Sequence, residues 1–366
     1  MVEKFLINTI TAWEEPPRAR HQLAFSLAKN HQVIFVTRNK TGLPNIREYH
    51  PQKNIKVIEP VFPIDYKYRY RLPAINELYQ RWLFRWLKKN ISFDHCINFD
   101  FTAHYISNFF KNAIYYCNDD YIGNSKYPVW IINKYHQRCE SIVIKNALFC
   151  IVTATFLENK LKRINRNTFL IPLGAPDLKD INVIPKQTTD TGKITVSLMY
   201  VGTRKLDHNL LNDLLLKGDV NIVCIGPRDN EFERKIISND NISFKGVLKG
   251  DDLYQEINKA DVGIAPYDLQ KSNKGVTPNK LWQYFAVGKP MVISDIPNLA
   301  YFDFPDKFVY VYKSNSECYT LIKKAHLENN SLLIESRSKF AESNSWDKRA
   351  DKFLSIAGDF SDHNPV

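Results

Sequence analysis

Three absences narrow what this 366-residue sequence can encode. Its six cysteines include no C-x-x-C pair and no zinc-ligand spacing, and four of them lie in apolar stretches typical of buried free thiols in a reducing compartment. No glycine-rich loop opens the first helix, which excludes a dinucleotide fingerprint there. No uncharged apolar stretch approaches the ~20 residues that span a bilayer, and Glu3 interrupts a short apolar start, so we expect neither a membrane span nor a signal peptide.

The composition is that of a globular chain, and the length suits two domains. Apolar residues make up 44% and charged residues 24%, which excludes disorder for most of the chain. The net charge of +11 is uneven, because residues 1–185 hold 26 Lys+Arg against 15 Asp+Glu, whereas residues 186–366 hold 24 of each. The excess positive charge therefore lies in the first half, where it suits nucleic acid, an anionic membrane surface or an acidic substrate.

Short apolar runs alternate with longer amphipathic stretches in both halves, as in Phe5–Ile10 followed by Arg18–Lys29. This alternation predicts an α/β fold of two doubly wound domains with parallel sheets, whose ligands bind beyond the carboxyl ends of the strands. Pro176–Lys193 lacks apolar periodicity and is the predicted linker. The predicted divisions are a first domain over residues 1–185, a second over 186–344 and a C-terminal helix within 345–366.

The sharpest local pattern is TPNKLWQYFAVGKPMV, residues Thr277–Val292. Pro278 suits the first position of a helix, and Gly288 suits its C-terminus. Lys280 and Gln283 are three residues apart and share a helix face, from which they can reach a phosphate and a sugar hydroxyl. The alternative is an ordinary amphipathic helix with a solvated lysine.

This stretch resembles the nucleotide-binding helix of GT-B glycosyltransferases, in which the pattern Pro-x-Lys-x-x-Glu-x-x-Ala-x-Gly-x-Pro recurs. The sequence departs from the pattern at Gln283, and a Lys-x-x-Gln variant is similar to the xanthan glucuronosyltransferase and its relatives. The acidic residue expected eight positions upstream falls at Gly275, so the paired-glutamate motif is absent. The resemblance implies a GT-B fold with two Rossmann-like domains, and the missing acid favours an inverting over a retaining mechanism.

The resemblance extends along the second half. Val201–Arg204 looks like the strand–glycine loop that opens the nucleotide domain, Ile242–Leu248 like the segment that contacts the base, and Ile264–Tyr267 like the strand end beside the donor. In the relatives, the lysine meets the diphosphate and the glutamine meets the nucleotide. The implied nucleotide-sugar contacts are Gly202, Thr203, Arg204, Tyr267, Asn279, Lys280 and Gln283.

Two adjacent carboxylates, Asp119 and Asp120, follow an apolar strand-like run in the first half. An inverting transferase needs one carboxylate to take the proton from the attacking acceptor hydroxyl. The resemblance gives this role to an aspartate of the first domain, and we prefer Asp119 because it lies nearer the strand end. The alternatives are a pair of helix N-cap residues and, less favoured, a metal-binding motif. GT-B enzymes usually neutralise the leaving diphosphate without a metal, so we expect no metal and no cofactor beyond the nucleotide sugar.

The first loop and helix start, Thr11–Ala24, resemble related sugar transferases with an arginine-rich helix start. The predicted acceptor contacts are Trp13, Arg18, Arg20 and His21. Arg18 or Arg20 can hold an acidic acceptor sugar or a lipid diphosphate. The alternative is a solvated helix start with His21 as a packing group.

The segment Asp65–Lys89 holds seven Lys+Arg against two acidic residues, interleaved with aromatic residues. This composition suits an anionic lipid interface, which we favour. Single-stranded nucleic acid is a minor alternative, and a helix that simply buries its aromatics is the other. The predicted membrane contacts are Arg81, Trp82, Arg85, Trp86, Lys88 and Lys89.

Together these patterns predict a bacterial inverting glycosyltransferase on the inner, cytoplasmic face of the cell membrane. The donor is expected to be a UDP-sugar, with UDP-glucuronate as the particular candidate, and the acceptor a polysaccharide or lipid-linked oligosaccharide. The alternatives are a retaining GT-B transferase, a sugar-nucleotide epimerase, or a non-enzymatic nucleic-acid or glycan-binding protein. No nucleic-acid partner is expected.

Overall fold

The structure is a computed structural model that describes residues 2–124, 127, 129–177, 192–200, 203, 205–269 and 279–362. The chain divides into two compact units. The first comprises residues 1–173 and 349–366, and the second comprises residues 174–348. The predicted boundary at 185/186 lies outside the described residues.

The first unit is built on a mostly parallel sheet. Its strands are β1 (Lys4–Asn8), β2 (Gln32–Val36), β3 (Lys40–Thr41), β4 (Asn45–Gln52), β5 (Ile55–Phe62), β6 (His95–Asn98), β7 (Ala113–Cys117), β8 (Cys150–Val152) and β9 (Thr168–Leu170). The spatial order is β3-β5-β2-β1-β6-β7-β8-β9, with β4 antiparallel to β5. The central strands are buried on both faces, which explains their continuous apolar runs.

The helices of the first unit lie between these strands. They are α1 (Ala19–Ala28), α2 (Tyr66–Arg69), α3 (Pro73–Asn90), α4 (Ile106–Phe109), α5 (Tyr121–Asn124), α6 (Trp130–Asn146) and α7 (Thr155–Leu161). The strand β4 was not predicted from the sequence. Most of its side chains are exposed and polar, because it pairs only with β5 at the edge of the sheet, so it carries no apolar alternation.

The second unit has a wholly parallel sheet. Its strands are β10 (Ile194–Met199), β11 (Val220–Ile225), β12 (Ile242–Phe244), β13 (Val262–Ala265), β14 (Met291–Ser294) and β15 (Val309–Tyr312). Its helices are α8 (His208–Leu216), α9 (Asn230–Lys235), α10 (Gly250–Lys259), α11 (Lys280–Ala286), α12 (Asn315–Leu327) and α13 (Ser331–Ser343). The order β12-β11-β10-β13-β14-β15 is the doubly wound order 3-2-1-4-5-6.

The same order, β5-β2-β1-β6-β7-β8, forms the middle of the sheet in the first unit, so the prediction of two doubly wound α/β domains is confirmed. In such a sheet the strand order reverses between the first and fourth strands. Loops that leave the carboxyl ends of these strands diverge there and make a binding crevice. This point falls between β10 and β13 in the second unit and between β1 and β6 in the first.

The last helix, α14 (Trp346–Asp362), returns the chain to the first unit from Arg349 onward. Phe353 is fully buried there, with its ring 6.4 Å from the ring of Phe5 and 6.4 Å from that of Phe149. About two turns further on, Phe360 packs against Phe149, with the ring centroids 4.9 Å apart. Among the helices of the described residues, none is both long and apolar enough to cross a lipid bilayer.

Candidate functional site

Two loops of the second unit, one after β10 and one after β13, meet where the strand order of the sheet reverses. We call this place the switch point. Leu206 and Tyr267 form an antiparallel bridge between these loops. The backbone N–H of Asp207 donates to Pro266 O at 2.8 Å, and that of Asp268 donates to Lys205 O at 2.8 Å. These backbone contacts bring the end of strand β13, with half-buried Tyr267, beside the loop that follows Thr203.

A third loop, after β11, joins this group through Asp229. The Thr203 hydroxyl donates to Asp229 Oδ2, and Asp229 Oδ1 accepts the backbone N–H groups of Glu231 and Phe232 at 3.0 and 3.1 Å. The Thr203 hydrogen bond and the helix-start amides hold the pKa of Asp229 below its usual range. Asp229 therefore caps α9 and fixes Thr203 at the same time.

Lys280 begins α11 and points toward the same strand end. Its Nζ lies 5.9 Å from the centroid of the Tyr267 ring, a cation–π contact. Burial lowers the pKa of Lys280 to about 8. Among the described residues, no carboxylate lies within 4 Å of the Lys280 ammonium. A phosphate bound here would supply the missing negative charge. The partly desolvated ammonium beside the Tyr267 ring is therefore suited to binding a phosphate.

The buried face of α11 explains why Lys280 is placed there. Leu281, Tyr284 and Phe285 are almost fully buried, and the Tyr284 hydroxyl donates to Ser197 O at 2.8 Å inside the unit. Gln283 is half-buried, three residues after Lys280 as the sequence predicts for a shared face, and Asn279 is exposed before the helix. Gly202 and Arg204 lie outside the described residues.

In the first unit, Asp119 and Asp120 follow β7 and precede α5, at the carboxyl edge of the sheet. Asp119 Oδ1 accepts the backbone N–H of Asp120 at 2.8 Å. Asp120 Oδ1 accepts from Lys160 Nζ at 2.9 Å and from the backbone N–H of Gly123 at 3.2 Å. A Cβ atom at Gly123 would lie 1.9 Å from Asp120 Oδ2, so this carboxylate is packed closely against backbone.

Lys160 also donates to buried Glu140 at 2.8 Å, which makes a three-residue charged cluster with Asp120. Burial opposes the charge on Lys160, but the two carboxylates outweigh it, so the pKa of Lys160 is raised. Burial also raises the pKa of Glu140. Sequence reasoning missed this cluster, as it missed Asp229, because the partners lie 20 to 40 residues apart in the chain.

Three of the four predicted acceptor residues have their side chains engaged locally. Arg18 pairs with Glu15 at 3.0 Å. His21 Nδ1 accepts the backbone N–H of Arg18 at 3.2 Å, Nε2 contacts Ala12 O at 3.1 Å, and burial lowers the pKa of His21 to about 4. Trp13 packs edge-on against Phe35, with ring centroids 5.0 Å apart. Arg20, the fourth, is only 4% exposed.

The predicted membrane contacts lie on α3. Tyr79, Leu83, Phe84 and Leu87 face the core, and Arg81, Arg85, Lys88 and Lys89 are exposed. Trp82 and Trp86 are half-buried, and Leu78 is 62% exposed. The outer face of α3 therefore combines cationic side chains with partly exposed apolar ones. The aromatic residues of its inner face, Tyr79 and Phe84, are buried in the core.

Known proteins resemble this chain in both sequence and fold. Residues 202–306 match the family model described as Glycosyl transferases group 1. The putative teichuronic acid biosynthesis glycosyltransferase TuaH of Bacillus subtilis (strain 168) is 26% identical over 134 residues, 35% of this chain and 34% of that protein. The match thus spans about a third of the length of this curated relative.

Solved structures match over nearly the whole chain. Sucrose-phosphate synthase from Thermosynechococcus elongatus has a TM-score of 0.77 at 12% identity, covering 99% of this chain and 100% of that one. WaaG, a glycosyltransferase involved in lipopolysaccharide biosynthesis, has a TM-score of 0.67 at 14% identity, with 96% and 99% covered. Anabaena HepE, in complex with UDP and glucose, has a TM-score of 0.70 at 10% identity, with 98% and 100% covered.

The two doubly wound units and these structural neighbours show a GT-B fold, so the predicted GT-B fold is confirmed. Within this fold, residues 202–306 are the part that matches the group 1 glycosyl transferase model. The matched range begins at the loop after β10 and includes Thr203, Asp229, Tyr267 and Lys280. The narrower resemblance to the xanthan glucuronosyltransferase stays a prediction.

Proposed function

We propose that this protein is a glycosyltransferase that moves a sugar from a UDP-sugar to a hydroxyl group of a saccharide acceptor. One observation carries the proposal: Thr203, Tyr267 and Lys280 gather at the switch point of the second unit, inside the range that matches the group 1 family. The structure of HepE with UDP and glucose supports a UDP-linked donor. The teichuronic acid and lipopolysaccharide roles in the names of TuaH and WaaG support a surface-saccharide acceptor.

On the donor side, Lys280 binds the diphosphate and carries a positive charge to the oxygen that accumulates negative charge as UDP leaves. Gln283, on the same helix face, contacts the nucleotide, and Asn279 and Thr203 line the same loops. With Lys280 in this role, we propose that transfer proceeds without a metal ion. The donor sugar remains the predicted glucuronate or another hexose.

On the acceptor side, Asp119 is the general base. Its carboxylate takes the proton of the acceptor hydroxyl, the hydroxyl oxygen bonds to the anomeric carbon, and the bond from that carbon to the diphosphate oxygen breaks with inversion. Asp120 serves instead as a support, since its carboxylate is held by Lys160 and the Gly123 backbone. This division supports the preference for Asp119 that the sequence already indicated.

We further propose that the protein binds the inner face of the cell membrane through the exposed face of α3. The cations Arg85, Lys88 and Lys89 have no acidic partner within 4 Å in the part of the chain that the structure describes. Unpaired cations beside exposed Leu78 suit a negatively charged bilayer that carries the lipid-linked acceptor.

Donor binding is tested by a thermal-shift screen of UDP-glucuronate, UDP-glucose and other nucleotide sugars. We expect a UDP-sugar to raise the melting temperature of the wild type. In Lys280→Ala, the increase in melting temperature should be at most half as large. Lys339→Ala is the matched control, because the Lys339 side chain is 71% exposed on α13 and pairs with Glu335 of the same helix. If no nucleotide sugar stabilises the wild type, the donor assignment fails.

The mechanism is tested by the stereochemistry of the product and by two substitutions. NMR of the new glycosidic linkage should show inversion, and retention would contradict the proposed base. Asp119→Asn should lower kcat by about 100-fold or more, as loss of a general base does. Asp120→Asn should mainly lower thermal stability, and full turnover in Asp119→Asn would remove Asp119 from the mechanism.

A further inference from the structure

Arg20 is a buried arginine whose side chain has hydrogen-bond donors to spare. It lies in the first turn of α1, directly after the loop that leaves β1, and only 4% of the residue is exposed. Its Nε and Nη1 atoms are buried and have no hydrogen-bond partner among the residues that the structure describes. A guanidinium cannot give up its proton in a protein, so this charge and these donors persist in the free protein.

Unsatisfied buried donors on a charged group are costly, and native proteins seldom keep them without a role. The start of α1 adds to this cost. The first turn of a helix stabilises negative charge, but α1 has no acidic residue in its first turn. It has Arg20 in that turn and Arg18 at the residue directly before the helix. Two independent features, the unpartnered donors and the cationic helix start, therefore favour an anion at this point.

Arg20 also differs from the other residues that the sequence placed in the acceptor site. Arg18 is paired with Glu15, His21 is neutral with both ring nitrogens in contact with backbone, and Trp13 is packed against aromatic rings. Among these four side chains, Arg20 is the one with buried donors that lack a partner in the described part of the chain. The structure thus reduces a set of four candidates to a single side chain.

The position of Arg20 links it to the proposed base. Its guanidinium carbon lies 6.0 Å from the centroid of the Phe99 ring, just after β6. Burial raises the pKa of Tyr121, and the nearby Arg20 opposes this through its charge and a hydrogen bond to the phenol oxygen. Tyr121 in turn donates to Asn118 Oδ1 at 2.9 Å, so Arg20 reaches the segment that carries Asp119.

We propose that Arg20 binds an anionic group of the acceptor, a carboxylate or a phosphate ester, next to the hydroxyl that Asp119 deprotonates. The inference rests on the proposed glycosyl transfer and narrows its acceptor to an acidic or phosphorylated saccharide. The anion supplies the hydrogen-bond acceptors that Nε and Nη1 lack. Because the residue is nearly buried, binding includes a local movement of the Arg20 side chain.

The test uses the full chain labelled with 15N-arginine and saturated with UDP, so that added anions do not occupy the donor site. The Nε–H signal of Arg20 is identified by its absence from Arg20→Lys. Glucuronate and glucose 6-phosphate serve as the carboxylate and phosphate probes, and glucose is the neutral probe. We expect the Arg20 signal to shift with at least one anion and not with glucose, and the anion that shifts it identifies the acidic group.

The matched control is Arg18→Gln, which removes an exposed arginine two residues away. We expect Arg18→Gln to keep anion binding within about twofold, whereas Arg20→Gln weakens it by about tenfold or more, as loss of a hydrogen bond to a charged group does. An Arg20 signal that neither anion moves, or equal binding by Arg20→Gln and the wild type, would overturn the inference.

Calorimetric titration of UDP into the same proteins before they are saturated with UDP separates this result from the proposed function. If UDP binds but neither anion shifts the Arg20 signal, only the proposed role of Arg20 is contradicted. If UDP does not bind, the donor assignment is contradicted, independently of the result for Arg20. Arg20→Lys adds a further check. If Arg20 only supports the fold, Arg20→Lys and Arg20→Gln should have lower melting temperatures than the wild type but should bind the anions equally well.

Discussion

At the scale of a single residue, burial changes the charge state of Lys280, which we propose binds the diphosphate. Burial lowers the pKa of this lysine to about 8, because the protein replaces water that would stabilise the ammonium ion. A bound diphosphate favours the charged form and raises the pKa again. By linkage, the diphosphate binds best where Lys280 is already protonated, below its free pKa, and less well above it.

The affinity for UDP should therefore fall as the pH rises through about 8. Calorimetry across a range from about pH 7 to about pH 9 should show up to a tenfold loss per pH unit above 8, since the terminal phosphate of UDP is already ionised at these pH values. Lys280→Arg keeps its charge throughout, so its affinity should stay nearly constant over the same range. A pH profile shared by both proteins would show that another group titrates.

At the scale of secondary-structure elements, the end of α11 depends on the backbone of Gly288. This residue has a φ of +72°, a conformation that side chains disfavour, and it touches α13. A Cβ atom there would lie 2.5 Å from Ile334 Cγ2 and 2.9 Å from Ile334 O. Arg337 of α13 strengthens the same contact, because its Nη1 donates to Gly288 O at 3.0 Å.

We expect Gly288→Ala to lower the free energy of unfolding by about 3 kcal/mol, from backbone strain plus overpacking. Gly246→Ala is the matched control, since Gly246 has the same φ of +72° with nothing within 4 Å of its Cβ position. The control should cost about 1 kcal/mol, which is the backbone term alone. Chemical denaturation of both variants measures the difference, and equal losses would show that the contact with Ile334 relaxes freely.

The exposed face of α3 is an element with a proposed partner of its own. Replacing Arg85, Lys88 and Lys89 by glutamine should weaken binding to vesicles containing anionic lipid by tenfold or more, at about 1 kcal/mol per charge. UDP affinity should not change. A triple glutamine variant of the second unit removes the same charge from exposed lysines and should bind vesicles normally; its positions are Lys249, Lys313 and Lys324. Equal loss in both variants would indicate that net charge alone is responsible.

At the scale of the whole molecule, the chain leaves the first unit, forms the second, and returns through α14. Phe353 is the buried anchor of the returning segment, against Phe5 and Phe149. The core of the first unit therefore needs residues from both ends of the chain. A defect in α14 should appear as instability of the first unit, although α14 follows the second unit in sequence.

Phe353→Ala should cost the first unit about 3–5 kcal/mol, as large-to-small substitutions at buried aromatics do. Calorimetric unfolding should show the transition of the first unit at a lower temperature, and UDP should still stabilise the second. Ser355→Ala, at an exposed position of the same helix, should leave both transitions unchanged. Loss of UDP binding in Phe353→Ala would show that the second unit also depends on this helix.

Much of the fold follows from the sequence alone, because its signals are local. Central strands such as β7 are continuous apolar runs, since both of their faces are buried, and the alternation with amphipathic stretches indicates doubly wound domains. The position of Lys280 at a helix start follows from the spacing of Pro278, Gly288 and the residues between them. The edge strand β4 escaped prediction, because an exposed strand has no apolar pattern to detect.

The roles of the charged residues depend on contacts between distant parts of the chain, which only the tertiary structure decides. In the sequence, Asp119 differs from Asp120 only in lying one residue nearer the strand end, and nothing nearby predicts that Lys160, forty residues away, pairs with Asp120. Arg18 and Arg20 look alike at a helix start, but Arg18 pairs with Glu15, whereas Arg20 is buried with donors that have no partner among the described residues. Burial and partner geometry determine what a charge can do, and for Asp120 and Arg20 both are set by tertiary packing and not by neighbours along the chain.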